Sequence, residues 1–322
     1  MKRVGKHLTV IIAFIVLWYA MSRILSPLNA VGSYEVTIPS LLQSINTDSR
    51  LKIATYNIAH GRGGKYGASN WQNKTETEFL QHLDKIASQI QQANVDAIVL
   101  NEVDFSSAWS KHINQARYIA EKSGFKYVVE QRNMDNSFPF FNFIFGNAIL
   151  SKHPIKSSEL VKFPHASSLE NIFVGSHDGV MSVLQTPIGE IGIFAVHLEY
   201  RSEEIRVQSV KQINALAQAK PFPVFAVGDF NSTPSNFAKA QKTLESENAL
   251  SYLLEQGEFV TDNKILDSQQ YFTFPSEKPS TTIDWIIGRG NVEQINTQII
   301  ESDLSDHFML TSNIRLKNLA KL

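Results

Sequence analysis

From residue 50 onward, short apolar runs alternate with polar, turn-forming stretches, and the period of each run predicts its element. Leu51–Tyr56 alternates and is rich in β-formers, which predicts a strand. Between Glu78 and Gln91, Phe79, Leu83, Ile86, Ala87 and Ile90 recur at helical spacing. Val95–Leu100 reads as a buried strand that delivers Glu102 at its end, and Ser110–Ser123 as a helix stopped by Gly124. Phe125–Glu130 and Asn147–Ser151 predict strands, the second ended by Pro154. Val180–Gln185 and Ile191–His197 flank Thr-Pro-Ile-Gly, a hairpin signal. An amphipathic helix over Glu203–Ala219 is followed by apolar strands at Pro223–Val227, Ile283–Ile287 and Met309–Ile314. Two β-rich halves, each with an apolar strand ending in an acid, predict an α/β (α+β) architecture. Its form is a four-layer sandwich of two packed mixed sheets flanked by helices.

The amino-terminal pattern differs. Lys2, Arg3 and Lys6 precede a run from Leu8 to Met21 that only Thr9 interrupts, and Arg23 follows. A basic start before an apolar stretch fits a targeting segment. Extended to Leu25, with Arg23 snorkelling, it approaches the ~20 residues that cross a bilayer. No clean small-residue cleavage site follows, which favours an uncleaved anchor over a cleaved signal peptide. Basic residues before the run keep the amino end in the cytoplasm and place the rest outside it, periplasmic or extracellular, or secreted if the segment is cleaved. The expected organisation is an anchor or signal at residues 1–25, a linker at 26–49 and a catalytic domain at 50–322.

Composition narrows the chemistry. There are no cysteines among the 322 residues, which excludes disulfides, thiolate metal sites and a Cys nucleophile. Lys and Arg number 30 against 31 Asp and Glu; four of the basic and one of the acidic residues lie in the first forty, leaving a net of −4 beyond them. A chain that tracks nucleic acid through many phosphates usually carries a basic excess, and none is seen here.

Five polar signatures stand at or just past the ends of apolar runs: Thr55-Tyr56-Asn57, Leu100-Asn101-Glu102, Val196-His197-Leu198, Gly228-Asp229-Phe230-Asn231 and Ser305-Asp306-His307. A sixth, Thr282-Ile283-Asp284-Trp285, lies shortly before the last. Glu102 suits a hard ion such as magnesium, or a solvated strand end; Asn57 alone reads as a turn former. Asp229 offers a carboxylate to orient or deprotonate water, and Asn231 an amide to donate to a phosphoryl oxygen. Asp306 can bind metal and His307 can face a phosphate. Asp284, an acid among apolar residues, needs a partner such as an imidazole. His197 supplies a second phosphate contact or a proton donor.

In this order the set resembles the endonuclease/exonuclease/phosphatase superfamily, over about residues 50–314. Gly146–Ser151 with Pro154-Ile155 resembles its central strand, and Arg206 with Gln208 a recurring helix start. The resemblance implies a deoxyribonuclease I-like fold and a Mg²⁺-dependent hydrolase of phosphoester bonds, with Mn²⁺ as a substitute. It implies Asn57, Glu102 and Asp306 around the metal, Asp229 on the attacking water, and Asn231 on phosphate. It also implies His307 paired with Asp284, and His197 as the second imidazole. The expected partners are a phosphoester, either lipid headgroup or nucleic acid, and a membrane through the amino-terminal segment; the chain is expected to act as a monomer. An extracytoplasmic nuclease and a non-catalytic phosphoester-binding scaffold are the competing readings. Three further stretches are noted. Ser137–Phe145 carries five Phe, read as core and strand or as a loop entering a bilayer. The Gly-rich loop at His60–Gly64 places Arg62 within reach of a phosphate. His165, His177 and Asp178 read as loop residues.

Overall fold

Alternation on both faces of the central strands is what stacks the layers. In β2 (Arg50–Asn57), Leu51 and Ile53 belong to one core, while Ala54 and Tyr56 belong to another. In β3 (Ala97–Ser107), Ala97 and Val99 likewise face away from Ile98 and Leu100. A sheet apolar on both faces must be covered twice. The first core lies between two sheets and extends under the later helices; the second lies between β2, β3 and the helices α2 (Glu76–Ala93) and α3 (Gln115–Ser123). The computed structural model describes residues 2–39, 50–167, 175–267 and 271–316.

The first sheet has seven strands in the order β1-β4-β5-β3-β2-β13-β12, with β1 Val31–Glu35, β4 Tyr127–Ser137, β5 Asn142–Ser151, β12 Val292–Ile300 and β13 Met309–Leu316. The second has six in the order β10-β11-β9-β8-β7-β6, with β6 Ile155–Val161, β7 Gly179–Thr186, β8 Gly189–His197, β9 Val224–Asp229, β10 Phe259–Val260 and β11 Asp284–Arg289. One parallel pair lies inside each sheet, β2 with β3 and β8 with β9, and most other neighbours are antiparallel. The expected two-sheet sandwich is therefore present.

Local sequence explains the helix ends. Thr75 and Glu78 form a reciprocal capping box at the start of α2, which begins at Glu76, two residues earlier than the apolar spacing predicts. Gly124 closes α3 in a left-handed conformation, as expected, but α3 begins at Gln115 because Asn114 caps it there. The helix predicted at Glu203–Ala219 is α4 (Glu203–Gln218), and α5 (Ala249–Glu255) and α6 (Asn263–Asp267) follow.

Part of the expected linker at 26–49 is built into the fold. After α1 (Lys2–Leu25), a 3₁₀ turn at Ser26–Asn29 leads directly into β1, which pairs antiparallel with β4, Val31 opposite Gln131 and Glu35 opposite Tyr127. Tyr34 hydrogen-bonds Glu130 and lies under Arg117, 4.6 Å from ring centroid to guanidinium carbon. Five residues suffice because the neighbouring strand supplies the hydrogen-bonding partners. Residues 40–49 of that stretch, and 168–174, 268–270 and 317–322 of the expected catalytic domain, lie outside the described residues.

Candidate active site

Strand register sets three of the polar residues in a row. His197 is the partner of Asp229 across the parallel pair β8–β9, and Asp284 is its partner across the antiparallel pair β9–β11. Gly228 makes this alignment possible: its φ is 141°, and a Cβ there would meet the Val196 carbonyl oxygen at 1.9 Å. On the other sheet, Asn57 ends β2 beside Asn101 of β3. Glu102 follows at φ 50°, where the β3–β5 register shifts between Leu100 and Val103; this bulge turns its carboxylate out of the strand. Asn101 ties the two sheets at this end. Its side chain accepts from the Asp229 N–H at 3.0 Å and donates to the Val196 carbonyl at 2.9 Å and to Asn147 at 2.7 Å.

At the centre stands Asp229. Its Oδ1 accepts from the Asn231 N–H at 2.8 Å, which holds Asn231 at φ 48°. Its Oδ2 accepts from Asn57 Nδ2 at 3.2 Å and lies 3.7 Å from the Nε2 of both His197 and His307. His307 Nδ1 is 2.8 Å from Asp284 Oδ2, so the orphan acid expected to seek an imidazole has one. Asn231 Nδ2 donates one hydrogen to the Leu198 carbonyl, which fixes the amide at the cavity wall.

The electrostatics follow from burial and charge together. Burial opposes a charge on His307, but Asp284 and Asp229 outweigh it and push the imidazole up to about 10. Burial, then the Asp284 charge, pushes Asp229 well above the usual carboxylate range, with His307 pulling the other way. Burial works against Glu102 as well, yet His60, His197, Arg62 and His307 hold its carboxylate ionised, down to about 2. His197 is pushed below its ordinary value, chiefly by burial.

Two cation-binding arrangements can be weighed. Glu102 and Asp306 face each other across the Arg62 guanidinium, whose nitrogens lie 3.2 Å from Glu102 Oε2 and 2.7 Å from Asp306 Oδ2. Asp306 Oδ1 is buried with no hydrogen-bond partner among the described residues. Two carboxylates, one with an oxygen to spare, gathered around a positive charge fit a hard divalent ion. Asn57 lies beside them, but as placed it turns Nδ2 toward Glu102 and Asp229, while its Oδ1 accepts from the Ala59 N–H. A second group, Asp229, Asp284 and His307, brings one ligand atom from each residue within 4.8 Å of the others. It suits a metal less well, because Asp284 already occupies His307 Nδ1 and favours the imidazolium, which has no lone pair to give.

The structure thus brings all eight expected residues to one end of the sandwich: Asn57, Glu102, His197, Asp229, Asn231, Asp284, Asp306 and His307. It adds others. His60 Nδ1 pairs with Asp104 Oδ1 at 2.9 Å and presents Nε2 to Glu102 at 3.5 Å. His177 lies in a loop, as expected, but its ring is 5.7 Å from that of His197, and burial pushes it down to about 4. Asp178 keeps the loop role, accepting from the Phe163 N–H. Arg206, fully buried, holds Glu199, Glu203 and Gln241 and anchors α4. The Gly-rich loop at His60–Gly64 and the helix start at Arg206 carried signals in the sequence; Asp104 stands there only as a second acid two residues after Glu102.

This fold and this site define a phosphoester hydrolase of the two-sheet sandwich type. The family model described as Endonuclease/Exonuclease/phosphatase family matches residues 54–307, and the chain belongs to that family, a family of phosphoric ester hydrolases that generally use a divalent metal. Solved structures share the fold. The endonuclease/exonuclease/phosphatase from Beutenbergia cavernae is 18% identical, with a TM-score of 0.61 over 83% of this chain and 72% of that one. The human Nocturnin catalytic domain with bound sulfate is 14% identical, with a TM-score of 0.58 over 89% and 98%. D. rerio TDP2 complexed with single strand DNA product is 14% identical, with a TM-score of 0.56 over 83% and 100%. No curated protein matches the chain.

Proposed function

We propose that the protein is a membrane-anchored, Mg²⁺-dependent phosphoesterase whose catalytic domain lies outside the cytoplasm, with Mn²⁺ able to replace Mg²⁺. The observation that carries this reading is Asp229 Oδ2 lying 3.7 Å from two imidazoles, one held by a buried acid. Glu102 and Asp306 would hold the metal, with Asn57 beside them, and the ion would supply Lewis-acid neutralisation of phosphoryl charge. Asp229 takes the proton of the attacking water, whose oxygen bonds to phosphorus as the bond to the leaving alkoxide breaks; the alkoxide is protonated from solvent. The free N–H of the Asn231 amide donates to a phosphoryl oxygen. His307, kept protonated by Asp284, stabilises the charge that builds on the equatorial oxygens, and His197 contacts the phosphate from the other side. The helix α1 supports the anchor: within Gly5–Asn29 an eighteen-residue window has a mean hydropathy of 2.1, and none of that window is buried in the protein. At ~1.5 Å per residue its 24 residues span about 36 Å, enough for a ~30 Å bilayer core.

The test is Mg²⁺-dependent release of nitrophenol from bis-p-nitrophenyl phosphate, with Glu102→Ala and His307→Ala beside wild type. Loss in both variants is expected. Equal rates in all three proteins, or none in wild type across diverse phosphoesters, would remove the enzymatic reading in favour of a scaffold.

A further inference from the structure

The apolar helix does not leave the catalytic domain on a loose tether. Its end is fastened to the tip of the β4–β5 hairpin by side-chain contacts. The Tyr19 ring stacks on Phe138, with centroids 5.0 Å apart and planes at 13°. Ser22 Oγ accepts from the Ser137 N–H at 3.0 Å, and Arg23 donates to Asn136 Oδ1 at 2.8 Å. The 3₁₀ turn and β1 then join the helix to the edge of the seven-stranded sheet, so backbone and side chains set its orientation together. Trp18 and Tyr19 sit where the helix meets the domain.

The hairpin tip continues this apolar front. A tight turn, Phe138 N–H to Phe141 carbonyl at 2.8 Å, leaves Phe140 85% exposed. From there aromatic rings run inward: Phe138 to Phe141 at 4.8 Å, Phe141 to Phe143 at 5.5 Å, Phe143 to Trp109 at 4.8 Å, and Trp109 to Phe145 at 5.7 Å. Phe145 meets His60 at 5.1 Å, and His60 contacts Glu102. One cavity of about 1040 Å³ has Tyr19, Phe138 and Phe143 on this wall, and His197, Asp229 and His307 among its polar lining. A residue of the anchor therefore forms part of the wall of the candidate active site.

We infer that the cavity opens onto the bilayer surface and that its substrate is the phosphoester of a membrane lipid. The hairpin tip enters the interface beside α1. The apolar part of the lipid lies along Tyr19, Phe138 and Phe143, and its phosphate reaches Asp229. A water-soluble ester would leave this wall uncovered, whereas an amphiphile buries it. The inference rests on the phosphoesterase reading above and names the substrate class of that site.

The test uses the full chain reconstituted in vesicles of phosphatidylcholine with phosphatidylinositol and, separately, of phosphatidylcholine with sphingomyelin. Release of water-soluble phosphorylated headgroup, or of free phosphate, is measured beside bis-p-nitrophenyl phosphate hydrolysis. Phe140→Ser alters an exposed ring outside the cavity, so folding and turnover of the soluble ester stay as in wild type. Withdrawing one buried aromatic ring from the interface should lower lipid turnover by about tenfold or more. Tyr19→Ala should raise the apparent KM for lipid and leave kcat for lipid within about twofold. Lipid turnover by Phe140→Ser equal to wild type would overturn the inference. So would turnover of the soluble ester, or of oligonucleotides, with none of lipid; in both cases the phosphoesterase reading would stand. No turnover of any ester would instead remove the reading beneath it.

Discussion

Arg62 offers a direct probe of the cation site, because its guanidinium now lies where Glu102 and Asp306 converge. Replacing it in Arg62→Met keeps most of the side-chain stem and removes the charge. The three side chains are 14%, 23% and 3% exposed, which places the pairs between the buried and the surface regimes. Breaking a buried pair from one side costs about 3–5 kcal/mol, and exposed pairs contribute about 1 kcal/mol or less, so a loss of about 2 kcal/mol is expected. For a domain of this size that lowers Tm by about 4–8 °C. The loss should appear only in chelator. In wild type an entering ion must displace Arg62; in the variant the two carboxylates face each other without a cation and gain more from it. Free metal at a hundred times its Kd stabilises by about 2.7 kcal/mol, enough to close the gap. The assay is thermal unfolding in EDTA and across a Mg²⁺ titration, with Glu102→Gln added to the Arg62→Met background as the control that abolishes the response. A Tm difference that stays constant from EDTA to saturating Mg²⁺ would refute the assignment of Glu102 and Asp306 as the metal's ligands.

Three further outcomes follow from the same geometry. Asp284→Asn leaves a folded protein by circular dichroism but frees His307 from its orienting charge; kcat on a soluble diester should fall by about 10²–10³-fold with little change in KM, and a change confined to KM would contradict the role of the pair. Gly228→Ala forces a side chain to φ 141° and into the Val196 carbonyl, so the β8–β9 pairing that aligns His197 with Asp229 must part; denaturant unfolding should show a loss of about 3 kcal/mol or more, and an unchanged midpoint would show that the strands can separate freely. Asn101→Ala strands the buried Asp229 N–H and unlinks the sheets at the site, for a loss of about 2 kcal/mol by the same measurement, with activity falling further than stability explains.

The candidate site was largely legible because its polar side chains stand where apolar strands end. Asp229 and His197 follow runs too apolar to be anything but buried strands, and Gly228 announces a backbone that no side chain could adopt. Asp284 was legible for the opposite reason: an acid inside Ile-Asp-Trp-Ile needs a partner, and His307 is that partner at 2.8 Å. Other residues were legible only in part. His60 and Arg62 belong to a loop whose spacing matches no binding motif, and the left-handed backbone at Ala59 and His60 that turns them inward is not encoded by residue type. Asn101 reads as one more polar residue after a strand until two sheets meet over it.

Local pattern determined the elements, the apolar amino-terminal helix and the polar ends, since periodicity and turn chemistry act over a few residues. Only the tertiary structure decided which ends converge. It placed Arg62 between Glu102 and Asp306 from forty and more than two hundred residues away in the chain. It turned five residues of the expected linker into an edge strand, because β4 had an unpaired edge to offer. It also set Tyr19 of the apolar helix against the wall of the cavity that holds the candidate site. Those outcomes depend on packing between segments remote in sequence, whose contacts exist only once both sheets and their covering helices are in place.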